Sequence, residues 1–203
     1  MQNKGMLVLF SGPSGVGKDT VLDIILDKDD MLQRSISLTT REKRQGETDG
    51  VDYYFITKDQ FLNMVEDGQV LEYAQYGENI YGTPKEPVDK WLKEGKTVIL
   101  KIEVKGAQKI RELYPDAVSI FLLPPSMQVL ENRIRRRGTE NEQDIAKRLE
   151  IAKNEICRSA DYDFVVVNDD IDEASNNVLS IIKALNFTYK RMNHKISEVI
   201  KNV

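Results

Sequence analysis

Residues 6–10 (Met-Leu-Val-Leu-Phe) form an unbroken apolar run, followed by a glycine-rich turn and then by apolar residues at positions 21, 22, 25 and 26. A short apolar run closed by a turn marks a strand buried on both faces, and the 3–4 spacing after it marks one face of a helix. The start of the chain therefore predicts strand, loop, helix. Similar buried strands are predicted over 97–102, 117–123 and 163–167, each bounded by turn or capping residues. Helices separate them. Leu113-Tyr114-Pro115 ends one helix, Ser126 is placed to cap the next, and Asp170 or Asp172 to cap the one carrying Ala174, Val178, Ile181 and Leu185. Strands alternating with helices imply an α/β fold: a three-layer parallel sheet wound right-handedly, with ligands beyond the carboxyl ends of its strands.

Between 34 and 82 the pattern changes to short strands, a Gly/Asp-rich turn over 45–51 and a short helix near 59–66. This predicts an antiparallel lobe inserted into the parallel core. A polar, glycine-bearing stretch over 137–144 joins two helices and suits a small, mobile helical lid. The expected organisation is a single domain over 1–203, with core segments 1–33, 84–136 and 145–186, the lobe at 34–83 and the lid at 137–144. Residues 187–203 are basic and amphipathic, with Met192, Ile196, Val199 and Val203 at helical spacing, and are expected to form a terminal helix or tail that docks or frays.

Composition narrows the partners. The 203 residues, 40% hydrophobic and 31% charged, suit one core that needs no covalent staples. A single cysteine, Cys157, cannot form an intrachain disulfide, and no Cys/His cluster has metal-ligand spacing, which fits a reducing cytoplasm. The first apolar run is too short for a signal segment, and no stretch approaches the ~20 apolar residues of a membrane span. With a net charge of −4 the mean field draws in neither nucleic acid nor anionic lipid, so any anion site is built locally.

Gly12-Pro13-Ser14-Gly15-Val16-Gly17-Lys18 builds one, because it matches the G-x-x-x-x-G-K phosphate loop and lies between a predicted strand and a predicted helix. Glycines let backbone N–H groups converge on phosphate oxygens, the helix start adds positive potential, and Lys18 supplies a full charge to the β/γ-phosphates. The loop departs from the strict pattern at Asp19, which stands where a hydroxyl normally meets Mg²⁺; the first hydroxyl follows at Thr20. Ligation of Mg²⁺ by a hydroxyl at position 19 is thereby excluded. The Gly-Lys-x-Thr spacing resembles nucleoside monophosphate kinases, in which the metal is held largely by phosphates and water.

The stretch 39–53, Thr-Thr-Arg-Glu-Lys-Arg-Gln-Gly-Glu-Thr-Asp-Gly-Val-Asp-Tyr, resembles the signature of guanylate kinases of bacterial type. Further motifs follow in the same order: Leu71-Glu72-Tyr73-Ala74, Tyr81-Gly82-Thr83, Leu123-Pro-Pro-Ser126, Arg137-Gly-Thr-Glu140, Lys147-Arg148-Leu149 and Val167-Asn168-Asp169-Asp170. The resemblance covers almost the whole chain. It implies a P-loop NTPase-type fold and transfer of the γ-phosphoryl group of ATP to GMP with Mg²⁺, dGMP standing as an open alternative acceptor. By the same resemblance Arg41, Arg44, Tyr53 and Tyr81 would hold the GMP phosphate. Glu72 would read guanine, with Ser37 and Thr83 completing the base site and Asn168 lying near the adenine. Two guanidinium forks and two phenolic donors suit a phosphate dianion, and one carboxylate can accept from both N1–H and the 2-amino group of guanine.

Arg133 and Arg137 stand four residues apart on a predicted helix and share a face, and Arg148 comes from the next helix. The resemblance has these three close over the ATP phosphates, whereas Arg135 and Arg136 read as solvated charge. His194, the only histidine, lies in the terminal segment and reads as a surface residue. A second departure follows the strand at 97–102: the family writes acid-x-acid, but here the chain reads Lys101-Ile102-Glu103. Glu103 keeps an acid on the GMP side. The expectation is a charge swap in which Asp19 takes the lost acid's place near the metal and Lys101 pairs with Asp19 or a phosphate oxygen. In the alternative, Lys101 turns to solvent and Asp19 caps the first helix. The rival reading of the whole is a non-catalytic guanylate-kinase-like module that binds a protein segment; the intact Gly12, Gly17 and Lys18 argue against it. Nucleic acid and membrane are not expected partners, and the chain is a monomer or a homo-oligomer.

Overall fold

The computed structural model describes residues 5–136 and 141–201. Arg137, the first four residues of the expected lid, and the ends of the expected first core segment and tail (1–4 and 202–203) lie outside them. The central sheet has five parallel strands: β1 (Met6–Ser11), β2 (Leu32–Arg34), β7 (Thr97–Lys101), β8 (Val118–Leu123) and β9 (Phe164–Val167), in the order β2-β7-β1-β8-β9. Four of these follow the apolar runs of the sequence. The fifth, β2, is a three-residue edge strand, Leu-Gln-Arg, too short to carry a period.

Alternation along β1 sorts the core into two layers. Met6, Val8 and Phe10 face a cluster shared with α1 (Lys18–Lys28), α5 (Met127–Arg136), α6 (Glu142–Cys157) and α7 (Ile171–Leu185). Leu7 and Leu9 face the other side, packed with Val88 of α3 (Lys85–Lys93) and with Ala107 and Ile110 of α4 (Val104–Leu113). Each fully buried Leu, Ile or Phe contributes roughly 1.5–3 kcal/mol. Truncating Phe10, wholly buried at the end of β1 beside the glycine-rich loop, would cost about 3–5 kcal/mol. Both capping expectations hold: Ser126 Oγ accepts from Val129 N at 3.2 Å, and Asp170, rather than Asp172, caps α7 by accepting from Glu173 N at 2.8 Å.

The inserted segment forms a second sheet of β3 (Leu38–Thr39), β4 (Tyr54–Phe55), β5 (Val70–Tyr76) and β6 (Asn79–Pro84), in the order β4-β3-β6-β5. Its β3–β6 and β5–β6 pairs are antiparallel, but β3 and β4 pair in parallel, which the long turn-rich connection between them permits. Helix α2 (Lys58–Glu66), closed by a Thr57/Gln60 capping box, covers this sheet by burying Phe61 against Leu38 and Ile80. The terminal α8 (Tyr189–Lys201) has no buried residue; a Lys190–Asp116 ion pair and a 3.3 Å hydrogen bond from Arg191 to Gly5 O tie its first turn to the core. Among the described residues no helix is long and apolar enough to cross a membrane.

Candidate active site

A cavity of about 540 Å³ opens between the carboxyl end of the central sheet and the second sheet. One wall is the glycine-rich loop, with Gly12, Ser14 and Lys18 facing the space. At the end of that loop Gly17 adopts φ +100°, and a Cβ there would lie 2.6 Å from Asn168 Nδ2, so backbone shape and space both demand glycine. Asn168 follows β9, is 3% exposed and donates from Nδ2 to Val16 O at 2.7 Å. Arg133 donates to the same carbonyl at 3.3 Å and to Asn168 O at 3.0 Å. Two remote elements thus clamp the loop from behind.

Lys18 bends back along the loop and donates to the carbonyls of Gly12 and, at 3.1 Å, Pro13. Burial pushes its pKa down to about 8; the Glu155 carboxylate opposes that shift, and the neighbouring Lys101 ammonium adds to it. An anion at this point would restore the full charge of Lys18. The first turn of α1 has no side-chain cap, which leaves its amides available to the same anion. Arg148 of α6 reaches across and donates to Ser14 Oγ. Arg135 bridges Glu131 and Glu142, joining α5 to α6 across the segment between them.

The opposite wall is built from side chains. Glu72 on β5 and Thr83 on β6 face each other in register, and Thr83 Oγ1 donates to Glu72 Oε1 at 2.7 Å. Burial raises the Glu72 pKa, and the Thr83 bond resists the rise. Gly106 of α4 makes room here: a Cβ on it would lie 2.7 Å from Glu72 Oε2. Tyr53 and Tyr81 stand edge to face at 5.8 Å and line the cavity with Ser37. Burial raises the Tyr53 pKa, so its hydroxyl remains a neutral donor at pH 7.

Arg41 and Arg44 stand on the turn beside this wall, outside the cavity's lining. Arg41 donates in bidentate fashion to Glu47, at 2.7 and 3.0 Å, with its guanidinium 5.5 Å from the Tyr53 ring centre and 5.7 Å from that of Phe55. Glu47 also accepts from the Arg44 amide at 2.8 Å, so one carboxylate organises the turn that carries both arginines. These bonds hold the Glu47 pKa below its ordinary value.

The floor between the walls is Lys101, Ile102 and Glu103 at the end of β7. Glu103 is open to the cleft, yet the surrounding protein and then the nearby Glu155 carboxylate push its pKa up to about 7. Asp19 does not cap α1. Its Oδ1 accepts from Lys101 Nζ at 2.5 Å and from Arg34 Nη2 at 2.9 Å, so Lys101 is paired rather than turned to solvent. Burial raises the Asp19 pKa, and the surrounding cations, Lys101 foremost, outweigh it and hold it below its ordinary value.

One space therefore gathers Gly12, Ser14, Lys18, Ser37, Tyr53, Glu72, Tyr81, Glu103 and Arg148, with Thr83 bonded behind Glu72. Pro13, Gly15, Val16 and Gly17 complete the loop, and Thr20 is exposed in the first turn of α1. Sequence reasoning missed four residues. Glu47 lay inside a quoted motif without a role, Gly106 and Arg34 gave no local signal, and Glu155 sits on α6 among other charged residues. As to a metal, no group of three or more His, Cys, Asp or Glu among the described residues is arranged to hold one, and Asp19 is already engaged by two cations. Mg²⁺ keeps several waters when phosphates bind it, so these residues fit an ion carried in by a nucleotide and do not form a protein cage.

Known proteins resemble the chain over nearly its whole length. The family profile described as guanylate kinase matches residues 4–185. A protein named guanylate kinase from Oceanobacillus iheyensis is 46% identical over 202 residues, covering 100% of this chain and 98% of its own. Another of that name from Lactococcus lactis subsp. lactis is 46% identical over 203 residues, covering 100% and 99%. The crystal structure of guanylate kinase from Anaplasma phagocytophilum shares 33% identity and superposes with a TM-score of 0.78, covering 94% of this chain and 90% of that one.

Proposed function

Because the chain belongs to the guanylate kinase family, we propose that it is a cytoplasmic ATP:GMP phosphotransferase that moves the γ-phosphoryl group of ATP to GMP and gives ADP and GDP. The observation that carries this reading is the single cavity with Lys18 and its loop on one side and Glu72, Tyr53 and Tyr81 on the other. Two phosphate-bearing ligands entering from these walls would meet end to end over Lys101 and Glu103.

On the donor side the loop amides and Lys18 bind the β- and γ-phosphates, with Lys18 exchanging two backbone carbonyls for phosphate oxygens. Arg148 and Arg137 supply further positive charge to the group in transfer. Arg133 holds the loop in shape through Val16 O and turns toward the phosphates only if it gives up that bond. Asn168, against the same loop, lies on the side assigned to adenine. On the acceptor side Arg41 trades the Glu47 carboxylate for the GMP phosphate, an anion that fits the same bidentate fork. Arg44, Tyr53 and Tyr81 complete that grip. Glu72 accepts from N1–H and the 2-amino group of guanine, while Thr83 fixes its orientation and Ser37 and Glu103 finish the base site.

A general base is not required. The second pKa of a phosphate monoester lies near ~6, so the attacking oxygen is largely ionised at neutral pH. His194, on the exposed α8, takes no part. Residue charges and positions do the rest: a GMP phosphate oxygen is brought in line with the γ-phosphorus of ATP and the β–γ bridging oxygen, the new O–P bond forms as the bridging bond breaks and ADP leaves, water is kept from that line, and the charge of a loose transition state is balanced. Mg²⁺ on the ATP phosphates supplies additional charge neutralisation when bound.

A coupled assay against GMP, dGMP, AMP, CMP and UMP, with and without Mg²⁺, tests the proposal. Turnover with ATP and GMP that requires Mg²⁺, and that falls steeply with the non-guanine acceptors, is expected. Equal turnover with AMP would remove Glu72 as the reader of the base. Nucleotide binding without turnover would favour an interaction module.

A further inference from the structure

Lys101 has no task in the transfer so far described, yet it lines the reaction cleft. We propose that Lys101 is a phosphate-contacting residue of this enzyme, paired with Asp19 while the cleft is empty and moving to a phosphate oxygen when the nucleotides are bound. This rests on the phosphotransferase reading and adds a residue to it.

Lys101 ends β7 and is paired in register with Phe10, one residue before the loop-bearing end of β1. Alternation along β7 puts Val98 and Leu100 against α3 and α4, and Ile99 in the layer that contains α1. Lys101 shares the parity of Ile99 and so emerges toward the first turn of α1, where Asp19 meets it at 2.5 Å. It lines the same cavity as Lys18 and Glu103, between the donor loop and the acceptor wall.

The pairing is built to be released. Asp19 Oδ1 also accepts from Arg34 at 2.9 Å, so the carboxylate keeps a partner when Lys101 leaves. The Asp19 side chain is 57% exposed and that of Lys101 25%, so the exchange strands no buried charge. A lysine carries a compact ammonium on a flexible four-carbon stem, which suits a move between two anions. Electrostatics favour the move as well. The Lys101 and Lys18 charges repel closely enough to depress Lys18, and an anion seated between them relieves that repulsion. Asp19 in turn raises the Tyr53 pKa, which sets the Asp19–Lys101 pair within electrostatic reach of the acceptor wall.

A binding experiment on the full chain with inorganic tripolyphosphate, followed by calorimetry, tests this without reference to base or turnover. Lys101→Met should weaken tripolyphosphate about 10-fold, the loss of one charge-assisted contact, whereas Lys101→Arg should retain most of the affinity. Asp19→Asn removes the competing anion and should tighten binding several-fold, and the double variant should bind as weakly as Lys101→Met alone. If the pair were only a brace between β7 and α1, both single variants would weaken binding together or neither would change it. Either result overturns the proposal. Should Lys101→Met fail to fold, the direction of the Asp19→Asn shift decides. Absence of GMP phosphorylation by the wild-type chain would sink the phosphotransferase reading while leaving this binding result to stand or fall by itself.

Discussion

The two walls of the cleft are built on different principles. The donor wall is backbone: a loop whose shape is fixed by glycines, clamped through Val16 O by Asn168 and Arg133, with Lys18 already aimed along it. The acceptor wall is side chains on the second sheet and the turn beside it, and its charged groups are occupied by neighbours, Arg41 by Glu47 and Glu72 by Thr83. The first wall receives a phosphate without breaking an ion pair, since Lys18 gives up only two backbone carbonyls. The second must exchange an internal ion pair for its ligand, which ties affinity for the acceptor to the strength of that pair. The contrast predicts that changes on the donor wall strike the rate, and changes on the acceptor wall strike binding and choice of base.

The largest effect is expected from Lys18→Met. The methionine keeps the stem and removes the charge, so kcat should fall at least ~100-fold, as it does when a group that stabilises transition-state charge is lost, with the melting temperature nearly unchanged. Near-normal turnover in the folded variant would take the loop out of the account. Next comes Glu72→Gln, which leaves one guanine donor unpaired; kcat/KM for GMP should drop at least ~10-fold, or ~1.4 kcal/mol, and preference over AMP should shrink. An unaltered preference would move base recognition elsewhere on the wall.

Glu47→Gln sharpens the comparison. Glu47 still accepts from the Arg44 amide after Arg41 turns to the phosphate, so the substitution loosens the turn by more than it frees Arg41, and KM for GMP should rise about 3–10-fold while kcat and KM for ATP change less. A fall in KM would mean that the carboxylate blocks the fork more than it orients it.

The smallest effect concerns Glu103 and pH. Its folded pKa of about 7 lies above the ordinary 4.5, so between those values the folded state binds more protons than the unfolded chain and stability declines as pH rises. Glu103→Gln should flatten the decline between pH 5 and 7. Contact with solvent screens the effect, so a gain of about 2–4 °C in melting temperature at pH 7.5 is expected, the size that ~1 kcal/mol has in a domain of this length. The same slope in both proteins would assign the titration to Glu72 or Glu155, whose pKa values are also raised.

The same contrast explains what could be read from the chain. The parallel core was legible because β1, β7, β8 and β9 each carry a predominantly apolar run, and the donor loop because its glycines and Lys18 fall within one short segment. β2 and the parallel pairing of β3 with β4 were not, since two or three residues carry no period and pairing direction is set by the connection between strands. On the acceptor wall residue types were visible, but their partners were not. Glu47 closing on Arg41, Arg34 reaching Asp19 and Gly106 making space for Glu72 are contacts between distant or unpatterned positions. The Asp19–Lys101 pair was anticipated only because both residues break a pattern at once.

The most direct test of the central claim, that one cavity holds donor and acceptor end to end, is binding of a bisubstrate ligand in which adenosine and guanosine are joined through five phosphates. A linked ligand that engages both walls should bind at least ~100-fold tighter than ATP or GMP alone, and Lys18→Met and Glu72→Gln should each weaken it. An affinity no better than that of a single nucleotide, or one that responds to only one of the two variants, would contradict the shared cavity.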